Sequence, residues 1–467
     1  MFKKFICCAA TALAASFVFA CMAACAADDG AGGGTSGEYK GGFSATLCLK
    51  VTSASPKVEK VIARFGDDVD PDGLDEDTFL LAAGRKNVVP QSVYICDEEG
   101  ERTDGPGECV AFELDYASTI DVMQVGARTQ WAKSYSVQLS LAEGKSIEIG
   151  GRNYDKLSVS YNAINDWVCP AADAYEKDSF VYSDGQSDIT LQRAVCVPAQ
   201  AEGDGSKNPL IVWLHGLGEG GTDVNIPLLY ANTTALSSEK IQSYFTTEEQ
   251  KGAYVAVIQT PTMWLDTTGE GDDGLNVYTG NGQTSYYTRA LDAAIDDIVA
   301  DNPDIDRSRI YIAGCSNGGF MALNLAERYG EKYAAYVPIC EAYMNGNVTE
   351  EILDKWTDLN IWFIQSDDDG TVNPYSYTIP TYYRLIENGA ENVNFSLLTG
   401  YGHGCWSAFL SDSVNTSFDK QKVCEDYKNL AFDGRGNLPA DGNYYVCHAN
   451  CTADAGSVFA WLAAQSA

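Results

Sequence analysis

Residues 310–326 read "IYIAGCSNGGFMALNLA", and this stretch decides the fold. Ile310 and Ile312 alternate as in a strand. Ser316 then stands among Gly314, Gly318 and Gly319, and a helix-like apolar run follows. At such a junction the chain doubles back sharply and the serine takes a strained backbone conformation. Side chains two before and two after it would collide, so positions 314 and 318 require glycine. Gly319 lets the following helix pack close to the sheet. The first N–H groups of that helix have no intrahelical partner and lie beside the serine, a ready site for an oxyanion. The spacing G-x-S-x-G between strand and helix points to an exposed nucleophile. The alternative is a tight turn with no chemistry attached.

Outward from this point, strands alternate with helices. "NPLIVWLHG", "AYVAVIQT", "YAAYVPIC", "LNIWFIQS" and "VNFSLL" are short buried-strand runs. "TSYYTRALDAAIDDIVADNP" puts Leu291, Ile295, Ile298 and Val299 on one helical face. "DAGSVFAWLAAQSA" closes the chain as a helix. This alternation predicts an α/β fold with a mainly parallel sheet covered by helices on both faces, over residues 173–467. Residues 39–172 differ. "FSATLCLKV", "KVEKVIARF", "QSVYICD", "CVAFELD" and "YSVQLSL" are alternating runs separated by Gly, Pro and Asp clusters. They predict a small all-β sandwich.

The chain has 467 residues, enough for two domains. Its 65 acidic and 31 basic residues leave a net charge of −34. That balance argues against nucleic acid or anionic lipid held through a basic surface. The first residues, "MFKKFICCAATALAASFVFACMAACAADDG", carry Lys3 and Lys4, an apolar run and small residues, the pattern of a signal peptide over residues 1–25. "VFAC" and "MAAC" resemble the lipobox of bacterial lipoproteins, with Val18 or Met22 where Leu is usual. Cys25 is preferred over Cys21 as the lipidated residue, because a flexible tether, residues 26–38, follows it directly. Cleavage near Ala27 and an uncleaved anchor helix are the alternatives. All three predict an exported chain, anchored by lipid on the outer face of a bacterial membrane or secreted. Eleven of the fifteen cysteines lie beyond Cys25, so disulfides are expected and at least one thiol stays unpaired. Cys96 and Cys109 flank a turn-like stretch and are candidates to bridge adjacent strands.

The elbow around Ser316 resembles that of the α/β-hydrolases, in which the acid and then the histidine follow the serine in chain order. Of the three histidines, His403 in "GYGHGCW" follows a strand directly and sits on a glycine-flanked loop, so it is the candidate base. His448 in "CHANC" is the weaker candidate, and that motif offers fewer ligands than zinc needs. The acid lies among Asp367, Asp368 and Asp369, at the end of the strand "IWFIQS". His215 belongs elsewhere: His-Gly at the end of an early strand marks the second oxyanion donor. The backbone N–H of Leu217 is that donor and the N–H of Asn317 the first. "DVDPDGLDED" spaces Asp68, Asp70 and Asp72 like a calcium loop, but Phe79 stands at the twelfth position, where the bidentate Glu belongs. Neither a metal nor a cofactor is expected.

"PLIVWLHGLGEGGTD", "RIYIAGCSNGGF", "YVPIC", "SDDDGTV" and the closing "VFAWLAAQ" together resemble one branch of the α/β-hydrolases. These are secreted esterases similar to polyhydroxybutyrate depolymerases and to the catalytic domain of prolyl oligopeptidase. "KVEKVIARFGDDVDPDGLDEDTFLLAAGR" resembles the start of the immunoglobulin-like domain that such esterases often carry. The resemblance selects Asp369, through its D-x-x-V relation to Val372. It implies Ser316 as nucleophile, Asp369 as acid and His403 as base, cleaving a carboxylic ester through an acyl-enzyme. Acetylated or feruloylated polysaccharide, or a related small ester, is the implied substrate. Some feruloyl esterases and tannases bridge cysteines adjacent to Ser and His. Cys315 and Cys405 resemble such a pair, although Cys405 is one residue out of place. A prolyl-oligopeptidase-like peptidase is the second reading, disfavoured because the N-terminal part is too short for a β-propeller. A non-catalytic surface-binding protein is the third.

Overall fold

The computed structural model describes residues 37–467 apart from 53–54, 85, 120–121, 126–127, 132–134, 164–165, 186, 200, 202–206, 270–283, 415 and 417–455. Cys25 and the preceding signal-like run, and His448 in "CHANC", lie outside the described residues.

The second half is built on an eight-stranded sheet. Its strands are β1 (Glu176–Ser183), β2 (Asp188–Cys196), β3 (Asn208–Leu214), β4 (Tyr254–Gln259), β5 (Ile305–Cys315), β6 (Ala335–Ile339), β7 (Ile361–Ser366) and β8 (Val393–Leu398). They lie side by side in the order β1-β2-β4-β3-β5-β6-β7-β8. β1 and β2 pair antiparallel, as do β2 and β4, while every later pair is parallel. Burial on both faces explains why β3, β4 and β6 read as unbroken apolar runs. In β3, Leu210, Val212 and Leu214 face one apolar cluster and Ile211 and Trp213 the other. Each such fully buried side chain contributes about 1.5–3 kcal/mol relative to exposure. The helix Thr288–Asp301 buries Leu291, Ile295, Ile298 and Val299, the stripe its periodicity predicts.

Residues 37–168 are all strand and turn apart from their connections. The long strand Lys57–Val69 is central, paired antiparallel with Phe43–Lys50 on one side and Gly107–Thr119 on the other. Ser136–Leu141 lies antiparallel between Arg152–Asn162 and Phe79–Ala83. The inward residues Leu47, Val61, Ala63, Phe65, Phe112, Val137 and Leu139 form a core that continues into the cluster beneath the second sheet. The calcium-like stretch is a connection between strands, and its last two aspartates, Asp75 and Asp77, share a lysine. Lys145 Nζ lies 3.0 Å from Asp75 and 3.4 Å from Asp77.

Two contacts tie the first part to the second at one loop. The hairpin Val122–Val125/Arg128–Trp131 donates the Thr129 N–H to the carbonyl of Gly218. Trp131 Nε1 donates to Asp223 Oδ2 at 2.8 Å.

Candidate active site

The carboxyl ends of parallel strands gather ligand sites in open α/β sheets, and here four strand ends converge. β5 ends at Cys315, Ser316 follows, and the helix Asn317–Tyr329 begins at once. Ser316 has φ 55° and ψ −113°, a conformation that costs a non-glycine residue about 1–3 kcal/mol. Its surroundings over-determine it. Its N–H donates to Ile339 O at 2.8 Å, and its carbonyl accepts from Phe320 N at 2.9 Å and Ala342 N at 3.2 Å. The glycines are steric necessities. A Cβ on Gly314 would stand 2.6 Å from the backbone of Gly318. One on Gly318 would overlap the Leu214 carbonyl, and one on Gly319 would stand 2.9 Å from Glu341 Cα. The glycine at 318 therefore seats the helix directly on the end of β3.

His403 sits on the short turn Gly402–Gly404 after β8. Its Nε2 lies 3.0 Å from Ser316 Oγ and its Nδ1 2.8 Å from Asp369 Oδ2. The Asp369 side chain is fully buried. Its other oxygen accepts the N–H groups of Thr371 at 2.8 Å and Val372 at 2.9 Å, which is the physical content of the D-x-x-V spacing. The structure thus brings Ser316, His403 and Asp369 into one hydrogen-bonded line. It also separates the three consecutive acids. Asp367 accepts from Thr399 Oγ1 at 2.8 Å. Asp368 Oδ1 accepts from Gly402 N at 3.0 Å, Gly400 N at 3.2 Å and Ser366 Oγ at 2.5 Å. These bonds hold its carboxyl below the usual range, the Ser366 hydroxyl first among them. Asp368 therefore anchors the loop that carries His403. Sequence reasoning passed over it, because three adjacent carboxylates differ only in where they point.

His215 and Gly216 follow β3. His215 is fully buried, and burial pushes its imidazole down to about 4. Its Nε2 accepts from Thr260 N at 3.2 Å, so the proton is on Nδ1, which donates to Gly216 O at 2.7 Å. Leu217 comes next, with its side chain half exposed. Asn317, at the start of the elbow helix, is buried, and its Oδ1 accepts the Trp264 N–H at 2.6 Å. An arrangement of this kind can take a proton from a serine hydroxyl through a neutral imidazole and steady the imidazolium with a buried carboxylate.

The cysteines depart from expectation. Cys96 and Cys109 are directly paired across adjacent strands, as free thiols. Cys315 and Cys405 are also free and buried. Cys405 Sγ points instead to the Ile364 carbonyl at 4.0 Å, close to Cys340, whose own thiol burial pushes well above its ordinary value. Cys340 Sγ also lies 3.7 Å from the His403 carbonyl oxygen. A residue between β6 and the next helix thus meets Cys405, which no spacing argument could supply. Among the described residues, Cys340, Asp369 and His403 are the one group of three potential metal ligands close together. The carboxylate and the imidazole of that group are already bonded to each other.

With this geometry in view, comparison with known proteins is informative. Residues 198–418 match the family model for phospholipases and carboxylesterases, Abhydrolase_2. The chain is similar to a thermostable esterase of known structure, at 22% identity over 81% of this chain and 97% of that one, with a TM-score of 0.57. It is more distantly similar to the acylaminoacyl peptidase of Pyrococcus horikoshii (13% identity, 80% of this chain, 62% of that one, TM-score 0.38). The S-formylglutathione hydrolase of Agrobacterium tumefaciens gives 13% identity, 54% of this chain, 95% of that one and a TM-score of 0.36. No curated protein sequence matches. The strand order and the likeness to the thermostable esterase structure show an α/β-hydrolase fold, and residues 198–418 are similar to the phospholipases and carboxylesterases.

Proposed function

We propose that the protein is an exported serine esterase that cleaves carboxylic esters through an acyl-enzyme. The observation that carries this reading is the unbroken line from Ser316 Oγ to His403 to Asp369, at 3.0 and 2.8 Å. His403 Nε2 takes the hydroxyl proton as Oγ attacks the ester carbonyl carbon. The oxyanion that forms is met by the backbone N–H groups of Leu217 and Asn317. Removing one such donor typically costs about 3 kcal/mol of transition-state stabilisation. Asp369 accepts from the imidazolium Nδ1–H. The proton passes to the departing alcohol, and a water then repeats the sequence to release the acid. Residues 173–467 carry this chemistry, and residues 39–172 form an immunoglobulin-like unit beside it.

The substrate class is an acetyl or feruloyl ester on a polysaccharide, or a related small ester. A cavity of about 210 Å³ lies against residues 220–223, walled by Trp131, Thr129, Gln130, Asp223 and Gln259, and none of Ser316, His403 and Asp369 lines it. Export and lipid attachment at Cys25 follow from the N-terminal pattern.

The test is to label the purified exported chain with a fluorophosphonate, map the labelled peptide and measure the mass of the mature N-terminus. Hydrolysis of p-nitrophenyl acetate is compared with that of Ser316→Ala. Label on Ser316, with the rate falling at least 10³-fold in the variant, is expected. An unlabelled Ser316 and equal rates would leave the glycines as a turn and favour a binding protein.

A further inference from the structure

Glu219 has no part in the line of residues just described, yet it is buried three residues beyond Gly216. Its Oε2 accepts the Gly216 N–H at 2.8 Å. Its own N–H reaches back to the Gly216 carbonyl at 3.4 Å, closing the turn 216–219. Its carbonyl accepts from Gln259 Nε2 at 2.8 Å, which fastens the turn to β4. Oε1 is buried with no hydrogen-bond partner. Such a carboxyl is costly, so it should have a purpose.

Gly216 is the most permissive kind of residue, and its two flanking peptides could otherwise rotate. Both are held. The 215–216 peptide is held through its N–H by the Glu219 carboxyl. The 216–217 peptide is held through its C=O by His215 Nδ1–H at 2.7 Å. In a planar trans peptide the N–H points opposite to the C=O, so holding the Gly216 carbonyl aims the Leu217 N–H away from His215. Gly216 is also wedged. A Cβ there would stand 3.3 Å from Glu219 Oε2 and 3.6 Å from Cys315 Sγ, on the residue before the serine. The Glu219 carboxyl, the glycine and the elbow therefore form one packed stack.

We infer that Glu219 is a positioning residue: its carboxyl fixes the His215–Gly216 peptide, and so the turn from which the Leu217 N–H faces the developing oxyanion. This rests on the reading of Ser316 as nucleophile. A neutral carboxyl is the fitting group, because it accepts one N–H without placing a negative charge behind an anion site. Burial raises Glu219 to about 8, in keeping with that role.

The test compares Glu219→Gln, which keeps the acceptor, with Glu219→Ala, which removes it. The full chain is used, with p-nitrophenyl acetate as substrate and fluorophosphonate as probe. Glu219→Ala is expected to lower kcat about 10²-fold with KM within about twofold, the pattern of a lost oxyanion contact. Ser316 labelling should slow in parallel. Glu219→Gln should stay within about threefold of the parent in both. Should the alanine variant not fold, Glu219→Asp, one methylene too short to reach Gly216, replaces it with the same expectation. An alanine or aspartate variant within threefold of the parent would overturn the inference, as would an equal loss in the glutamine variant. A parent chain whose Ser316 takes no label would overturn the esterase reading itself, and this inference with it.

Discussion

At the scale of single residues, three consecutive aspartates do three jobs because a turn points each in a different direction. Asp369 is buried against His403, while Asp368 binds backbone N–H groups of the loop that carries the histidine. Their substitutions should separate accordingly. Asp369→Asn is expected to lower kcat by about 10⁴, since it disturbs the imidazole tautomer itself. Asp368→Asn should lower kcat only about 5–20-fold, because it loosens the loop and leaves the Asp369 contact in place. Steady-state kinetics on p-nitrophenyl acetate decides, and equal losses would remove the distinction. Which of the three acids faces His403 was fixed in the sequence only by the Val372 relation. The structure supplies its cause, two N–H groups converging on the second Asp369 oxygen. Asp368 and Glu219 were not legible at all. The first looked like part of a solvated turn and the second like a polar residue in a glycine-rich loop. Burial and direction are properties of the folded chain, and neither leaves a mark on spacing.

At the scale of elements, the sheet was readable because a strand buried on both faces must be apolar throughout. The elbow was readable because its collisions leave only glycine at two positions. The nearness of Cys340 to Cys405 was not, since Cys340 comes to it from a different strand end. The turn after β3 also has a consequence for stability. Two buried groups, His215 and Glu219, are both neutral in the fold near pH 7. For His215 the folded value, about 4, lies below the ordinary 6.5. The unfolded chain therefore binds the extra proton between these values, and this contribution to stability is lost as pH falls through that window. For Glu219 the folded value, about 8, lies above the ordinary 4.5. Here the folded chain holds the extra proton, and this contribution is lost as pH rises from 4.5 to 8. The two oppose each other below 6.5, and between 6.5 and 8 only Glu219 acts. The slope of stability over that upper window is expected to be about −1.4 kcal/mol per pH unit from this group. Glu219→Gln should flatten it. Thermal melts at closely spaced pH values measure the difference, and parallel curves would refute it.

At the scale of the whole molecule, the two halves share an apolar cluster and meet at the loop 218–223. Trp131→Phe keeps the ring but removes the bond to Asp223. It is expected to lower kcat/KM about 3–10-fold, with no change at the Ser316–His403–Asp369 line. Fluorophosphonate labelling alongside ester hydrolysis reads this out, and an unchanged kcat/KM would mean that the hairpin merely rests on the loop.

The same loop is thus gripped from within by Glu219 and from outside by a tryptophan 92 positions upstream of Asp223. One protease cut in the hairpin would then act as a remote brake. On the proposed reading, Ser316 and its partners would survive intact while turnover fell, and the residues that silence the protein would not be those that perform its chemistry.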